Sequence, residues 1–197
     1  MTRFPLFIFL LLFSTSIWAQ VELNYPDVKY TTENIKANWV SHPNISGGED
    51  RVILFRNTFN VADVNQDFII NISADNHYFL YVNGKIVTHG PQLSDIKHWK
   101  FETLNLKKYL QNGKNVIAVK VINFGKRRFY GLQSIFTSVM VNGITENAKV
   151  LTTTGKGDTW LCSLDDSYKV INVNWRGDGP KSIVGGFYAN NPTDFID

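Results

Sequence analysis

The chain has 197 residues, 44% of them apolar, and a formal net charge of +3. Such a length and apolar content suit one well-buried core. The near balance of charge, with no basic run longer than the three residues Lys126-Arg127-Arg128, leaves no phosphate-binding stripe and excludes nucleic acid as an expected partner. Cys162 is the only cysteine, which excludes an intramolecular disulfide and a cysteine zinc cluster.

Residues 1–19 read as a signal peptide: Arg3 supplies a positive charge, residues 4–13 are almost wholly apolar, and Ala19 is the small residue before a cleavage at Gln20. The apolar run is shorter than the roughly 20 residues that span hydrocarbon. The expectation is therefore a secreted or periplasmic protein with no membrane anchor. Residues 20–48 show weak periodicity, with Trp39 as one large apolar anchor, and read as an N-terminal extension.

From 49 to 176 the chain reads as strands separated by turn chemistry. Residues 51–59 have strand composition, and in 68–74 the period of two puts Phe68, Ile70, Ile72 and Ala74 on one face. Residues 78–82 meet Asn83-Gly84, the two-residue signal for a type I′ hairpin, and residues 85–89 return antiparallel. A single helical turn is expected at 106–110. Asn112-Gly113 then turns into a strand at 115–123, whose Ile117, Val119 and Val121 point inward. A further strand is expected at 134–141, ended by Asn142-Gly143. The tail at 177–197 reads as loop with one short strand at most. Short strands at turn-limited spacing predict an all-β fold, an antiparallel β-sandwich. Periodicity sets faces and turns but not strand order, so it leaves jelly-roll and immunoglobulin-like topologies open.

Catalytic patterns are missing from the sequence. There is no Gly-x-Ser-x-Gly elbow, no His-Glu-x-x-His and no glycine-rich phosphate loop. His42, His77, His89 and His98 lack metal-ligand spacing on a shared element, and Asp165-Asp166 and Glu49-Asp50 read as solvated acidic loops. Binding suits the composition better. Sugar recognition sets a flat aromatic against the apolar face of a pyranose and polar groups against its hydroxyls. Residues 90–100 offer Gln92, Asp95, His98 and Trp99 in that mixture, and residues 125–131 offer Arg127, Arg128 and Tyr130. The competing reading packs Trp99 and Tyr130 over the ends of the core and leaves the arginines solvated. Asp75-Asn76 carries oxygens suited to calcium, although the same pair also fits a tight turn.

Residues 73–78 (Ser-Ala-Asp-Asn-His-Tyr), the run Leu80-Tyr81-Val82-Asn83-Gly84-Lys85, Gly90-Pro91, His98-Trp99 and Gly113-Lys114-Asn115-Val116 together resemble the non-catalytic N-terminal β-domain of bacterial α-L-rhamnosidases. More loosely, they resemble galactose-binding-like jelly rolls. The resemblance covers about residues 50–142 and implies the jelly-roll topology. It also implies a partner, a rhamnose-containing oligo- or polysaccharide, and adds precedent for calcium at Asp75 and Asn76. Rhamnosidases of this type place their two carboxyl groups in a helical barrel, and this sequence has no succession of amphipathic helices to build one. The expectation is a secreted accessory carbohydrate-binding domain, not catalytic alone, with a separate catalytic chain as a further partner. The alternatives are the front end of a truncated or split hydrolase, and an interaction domain without sugar affinity.

Overall fold

The computed structural model describes residues 35–128, 132–155, 157, 159–174 and 183–189. The expected signal peptide and Tyr130 lie outside the described residues. Among the described residues, no helix is long and apolar enough to cross a membrane.

Among the described residues ten strands follow in order: β1 (Asp50–Val61), β2 (Ile69–Asp75), β3 (His77–Val82), β4 (Lys85–Gly90), β5 (Glu102–Asn105), β6 (Gly113–Phe124), β7 (Ser138–Gly143), β8 (Leu161–Leu164), β9 (Tyr168–Asn174) and β10 (Ile183–Ala189). One sheet has the order β4-β3-β6-β1-β8 and the other β5-β2-β7, while β9 and β10 pair with each other. Every pairing is antiparallel. The chain crosses between the two larger sheets after β1, β2, β4, β5, β6 and β7, the alternation of a jelly roll. The protein is an antiparallel β-sandwich.

The alternation of side chains builds the core. Ile53, Phe55 and Phe59 of β1, Leu80 and Val82 of β3, and Ile117, Val119 and Val121 of β6 face Ile70, Ile72, Ala74, Val139 and Val141 of the smaller sheet. Fully burying each of these Val, Leu, Ile and Phe side chains stabilises the fold by about 1.5–3 kcal/mol. The β3–β4 hairpin turns at Asn83 and Gly84, whose φ values of 50° and 76° are those that a type I′ turn demands. Asn83 also ties the turn to its neighbours. Its side chain donates to the Tyr109 carbonyl and Asn115 Oδ1, and accepts from the Val116 N–H.

Two expectations are corrected. The strand predicted from 134 starts only at Ser138, because the backbone N–H groups of Ile135 and Phe136 bond the buried Asp75 carboxylate and not a neighbouring strand. Asn142-Gly143 does not end that strand in a turn but forms its last two residues. Glycine is required at 143 because the 3-10 segment Glu146–Leu151 presses on it: a Cβ there would lie 2.2 Å from the Ala148 carbonyl oxygen.

Residues 35–48, read from sequence as an extension, lie on the sandwich. Val40 and Val139 exchange both backbone hydrogen bonds at 2.9 Å, Asn38 N–H donates to the Thr153 carbonyl, and Ile45 joins the core. The segment thus borders the free edge of β7.

Candidate functional site

The site lies on the outer face of the three-stranded sheet. Ser73 of β2 and Met140 of β7 are paired in register and stand opposite the core-facing residues of their strands, so both project outward. Both are nevertheless buried, because chain from two sides closes over them. Residues 35–39 come from the β7 edge and residues 97–101 from the β5 edge. Between them is a groove of about 540 Å³, with Ser73 and Met140 as its floor and Trp39, Trp99, Lys97 and Lys100 among its walls. The volume is that of a small-ligand site.

Two indoles dominate this groove. Trp39 and Trp99 meet edge to face with centroids 5.3 Å apart, a geometry in which each ring fixes the other's orientation. Trp39 is 40% exposed, so its ring is held in place yet open to a ligand. The loop carrying Trp99 is anchored at both ends. Glu102 accepts from the Tyr78 hydroxyl at 2.7 Å and from the Gln92 N–H at 3.0 Å, which ties the chain just after Gly90-Pro91 to β3 and β5. Burial, reinforced by the Glu102 charge, pushes the Tyr78 phenol far above its ordinary range. Near the other end, the Ser73 hydroxyl donates to the Lys100 carbonyl at 2.6 Å.

Asp95 pins the middle of the loop. Its carboxylate accepts from the N–H groups of Lys97 and His98 and lies 2.9 Å from His98 Nδ1. The His98 ring hydrogen bond, followed by that of the Lys97 backbone, holds the Asp95 carboxyl below the usual carboxylate range. This self-contained turn presents Lys97, His98, Trp99 and Lys100 in succession to the groove.

The sequence-predicted residues therefore divide. His98 and Trp99 line the groove, whereas Gln92 and Asp95 belong to the same loop but organise it instead of lining it. Arg128 is exposed and its guanidinium donates to the Gly125 carbonyl at 2.7 Å, closing its own turn; it does not line the groove. Arg127 ends the 3-10 turn Gly125–Arg127, and Tyr130 lies outside the described residues. Trp39 was legible only as an apolar anchor. Its place opposite Trp99 comes from the Val40–Val139 bridge, a contact between residues about one hundred positions apart that no local pattern encodes.

Asp75 and Asn76 form the buried connection between β2 and β3. Asp75 Oδ2 accepts from the Ile135 and Phe136 N–H groups at 2.6 and 2.8 Å, and its Oδ1 from the Asn76 and Asn123 amides at 2.9 and 3.2 Å. Asn76 Oδ1 accepts from the Phe124 N–H at 3.0 Å. Every one of these oxygens faces an N–H donor, the surroundings of an acceptor serving the backbone. Among the described residues no three His, Cys, Asp or Glu side chains gather as a metal site.

No protein-family model and no curated protein matches the chain. Solved structures do. The GH78 family rhamnosidase of Bacillus sp. GL1 is similar at 25% identity and a TM-score of 0.59, over 69% of this chain and 14% of that one. The Streptomyces avermitilis α-L-rhamnosidase complexed with L-rhamnose is similar at 16% identity and a TM-score of 0.44, over 66% and 12% of the two chains. A Pleurotus ostreatus lectin in complex with GalNAc aligns at 20% identity and a TM-score of 0.38, over 68% and 34%. The β-sandwich of this chain is thus built like one segment of a GH78 α-L-rhamnosidase, and the match spans 14% of that enzyme's length.

Proposed function

We propose that the protein is a secreted accessory carbohydrate-binding β-sandwich that takes rhamnose-containing plant or algal oligosaccharides into the groove lined by Trp39 and Trp99. The observation that carries this reading is the pair of indoles, fixed against each other beside the apolar Met140 and Phe101, with polar groups on the rim. A pyranose ring presents just such a combination, with C–H groups on one face and hydroxyls around its edge. Rhamnose adds a methyl group in place of a hydroxymethyl, which suits the apolar surface of Met140 and Phe101. The likeness to a segment of a rhamnosidase supports this sugar, and the first nineteen residues support export. Glycoside hydrolysis needs two carboxyl groups across the bound sugar, and the residues lining the groove include neither Asp nor Glu. In this reading bond cleavage belongs to a separate catalytic chain.

Calorimetric titration of the mature chain with rhamnose-containing oligosaccharides tests the reading. Binding is expected, weakened about tenfold or more by Trp99→Ala, as for a truncated aromatic anchor. Flat heats across the panel, with the fold intact, overturn it.

A second reading is favoured by the outer face of the five-stranded sheet, where Leu54, Ile86 and Leu161 are 40%, 58% and 61% exposed. Tyr81, Ala118 and Arg56 lie in register between Ile86 and Leu161, so these apolar groups share one face. Such a face suits docking on the catalytic chain. Co-purification lost on Leu161→Glu supports docking there; co-purification unchanged by it counts against this face.

A further inference from the structure

The groove carries more charge than a neutral sugar uses. Lys97 and Lys100 line it with His98 and Trp99 between them, and both lysines are exposed. Among the described residues neither ammonium is paired with a carboxylate; the ion pairs there join Arg51 to Glu49, His98 to Asp95 and Lys149 to Glu146. Asp95, the acidic residue of this loop, is outside the lining and has its oxygens committed to the Lys97 and His98 N–H groups and the His98 ring. Two cations beside an aromatic pair, with no acidic side chain in the lining, make a surface complementary to an anion attached to an apolar ring.

We infer that the groove selects acidic oligosaccharides, placing a uronate carboxylate against Lys97 and Lys100 while the sugar ring lies on Trp39 and Trp99. This rests on the groove being a sugar site. Neutral rhamnose would cover the apolar Met140 and Phe101, and a neighbouring uronate would meet the cationic rim. Lysines present mobile point charges without the planar fork of arginine, so they attract a carboxylate without dictating its angle. The preference is therefore tolerant of linkage and sensitive to salt, since the charges are exposed.

The test compares trigalacturonate with the neutral trisaccharide obtained by reducing its carboxyl groups, titrated into the mature chain at low salt and at about 0.5 M sodium chloride, where the screening length falls to about 4 Å. Two exposed charge pairs are expected to favour the acidic trisaccharide by about five- to tenfold at low salt. High salt or the Lys97→Gln/Lys100→Gln double variant should bring that ratio to about twofold or less. Equal binding of the two probes, or a preference that survives the double substitution, overturns the inference and leaves sugar binding standing. Binding of neutral rhamnose-containing oligosaccharides without binding of trigalacturonate overturns it as well. If no glycan binds at all, the sugar-site reading falls and takes this inference with it. Thermal unfolding of the double variant checks the fold. The backbone groups of Lys97 and Lys100 that hold the loop are unaffected by a change of side chain.

Discussion

Replacing Asp75 by alanine probes how one buried carboxylate holds the end of the sandwich together. Asp75 is 2% exposed, and its oxygens accept from four donors: the Ile135 and Phe136 backbone and the Asn76 and Asn123 amides. Truncation leaves all four without this acceptor. A buried donor left unpaired costs about 1–3 kcal/mol. Water entering the vacated space recovers part of that, so the expected total is about 3–5 kcal/mol, not the full sum. At about 2–4 °C per kcal/mol for a domain of this size, the midpoint should fall by about 10 °C. Since folded domains hold about 5–15 kcal/mol, the variant still folds in the cold. Urea unfolding followed by tryptophan fluorescence measures the loss, with an unchanged m-value confirming the same transition. Asp75→Asn keeps an acceptor for Ile135 and Phe136 but sets an amide NH2 against two amide donors, so an intermediate loss of about 2 kcal/mol is expected. A loss below about 1 kcal/mol for alanine, or equal losses for the two variants, would refute the assignment.

Because N–H donors already fill both Asp75 oxygens, millimolar calcium should leave the thermal midpoint unchanged; a rise that Asp75→Asn abolishes would restore a cation to this turn. Gly143→Ala would press a methyl group into the Ala148 backbone, costing about 1–3 kcal/mol in a denaturation experiment. Gly47→Ala, which meets nothing within 4 Å, should change stability by less than about 0.5 kcal/mol. The raised Tyr78 pKa makes stability fall in alkali. Below the ordinary tyrosine pKa of about 10, both states keep the proton and the group contributes no slope. Above it the unfolded chain releases the proton while the folded chain holds it, lowering stability by about 1.4 kcal/mol per pH unit. Tyr78→Phe should remove that share of the alkaline slope in urea titrations from pH 9 to 11, and an unchanged slope would refute it.

The sandwich was readable where local chemistry decided the structure. Asn83-Gly84 can adopt two consecutive positive φ values, so the β3–β4 hairpin follows from the dipeptide alone. Ile117, Val119 and Val121 alternate because β6 has one face on the core, and the period of two shows it. What escaped the reading was decided by distant partners. Ser134 to Thr137 have the composition of a strand, yet Asp75 captures two of their N–H groups from sixty residues away. Asn142-Gly143 carries turn chemistry but is used for close approach, since Gly143 is the residue that fits under Ala148. At the site, Trp99 and His98 were found from composition, while Asp95 and Gln92 share that composition but serve the loop. Lys97 and Lys100 resemble any surface lysine in sequence, and only the fold of the loop sets them beside the indoles.

The central claim, that a sugar lies against Trp39 and Trp99, is tested most directly by following the indole N–H signals in nuclear magnetic resonance during titration with rhamnose-containing oligosaccharides. Trp160 is an internal control, because its indole donates to the Leu151 carbonyl at 2.9 Å and it does not line the groove. Saturable shifts of the Trp39 and Trp99 signals, with Trp160 unmoved, are predicted. Binding that leaves the Trp39 and Trp99 signals in place, or no binding at all, would contradict the account.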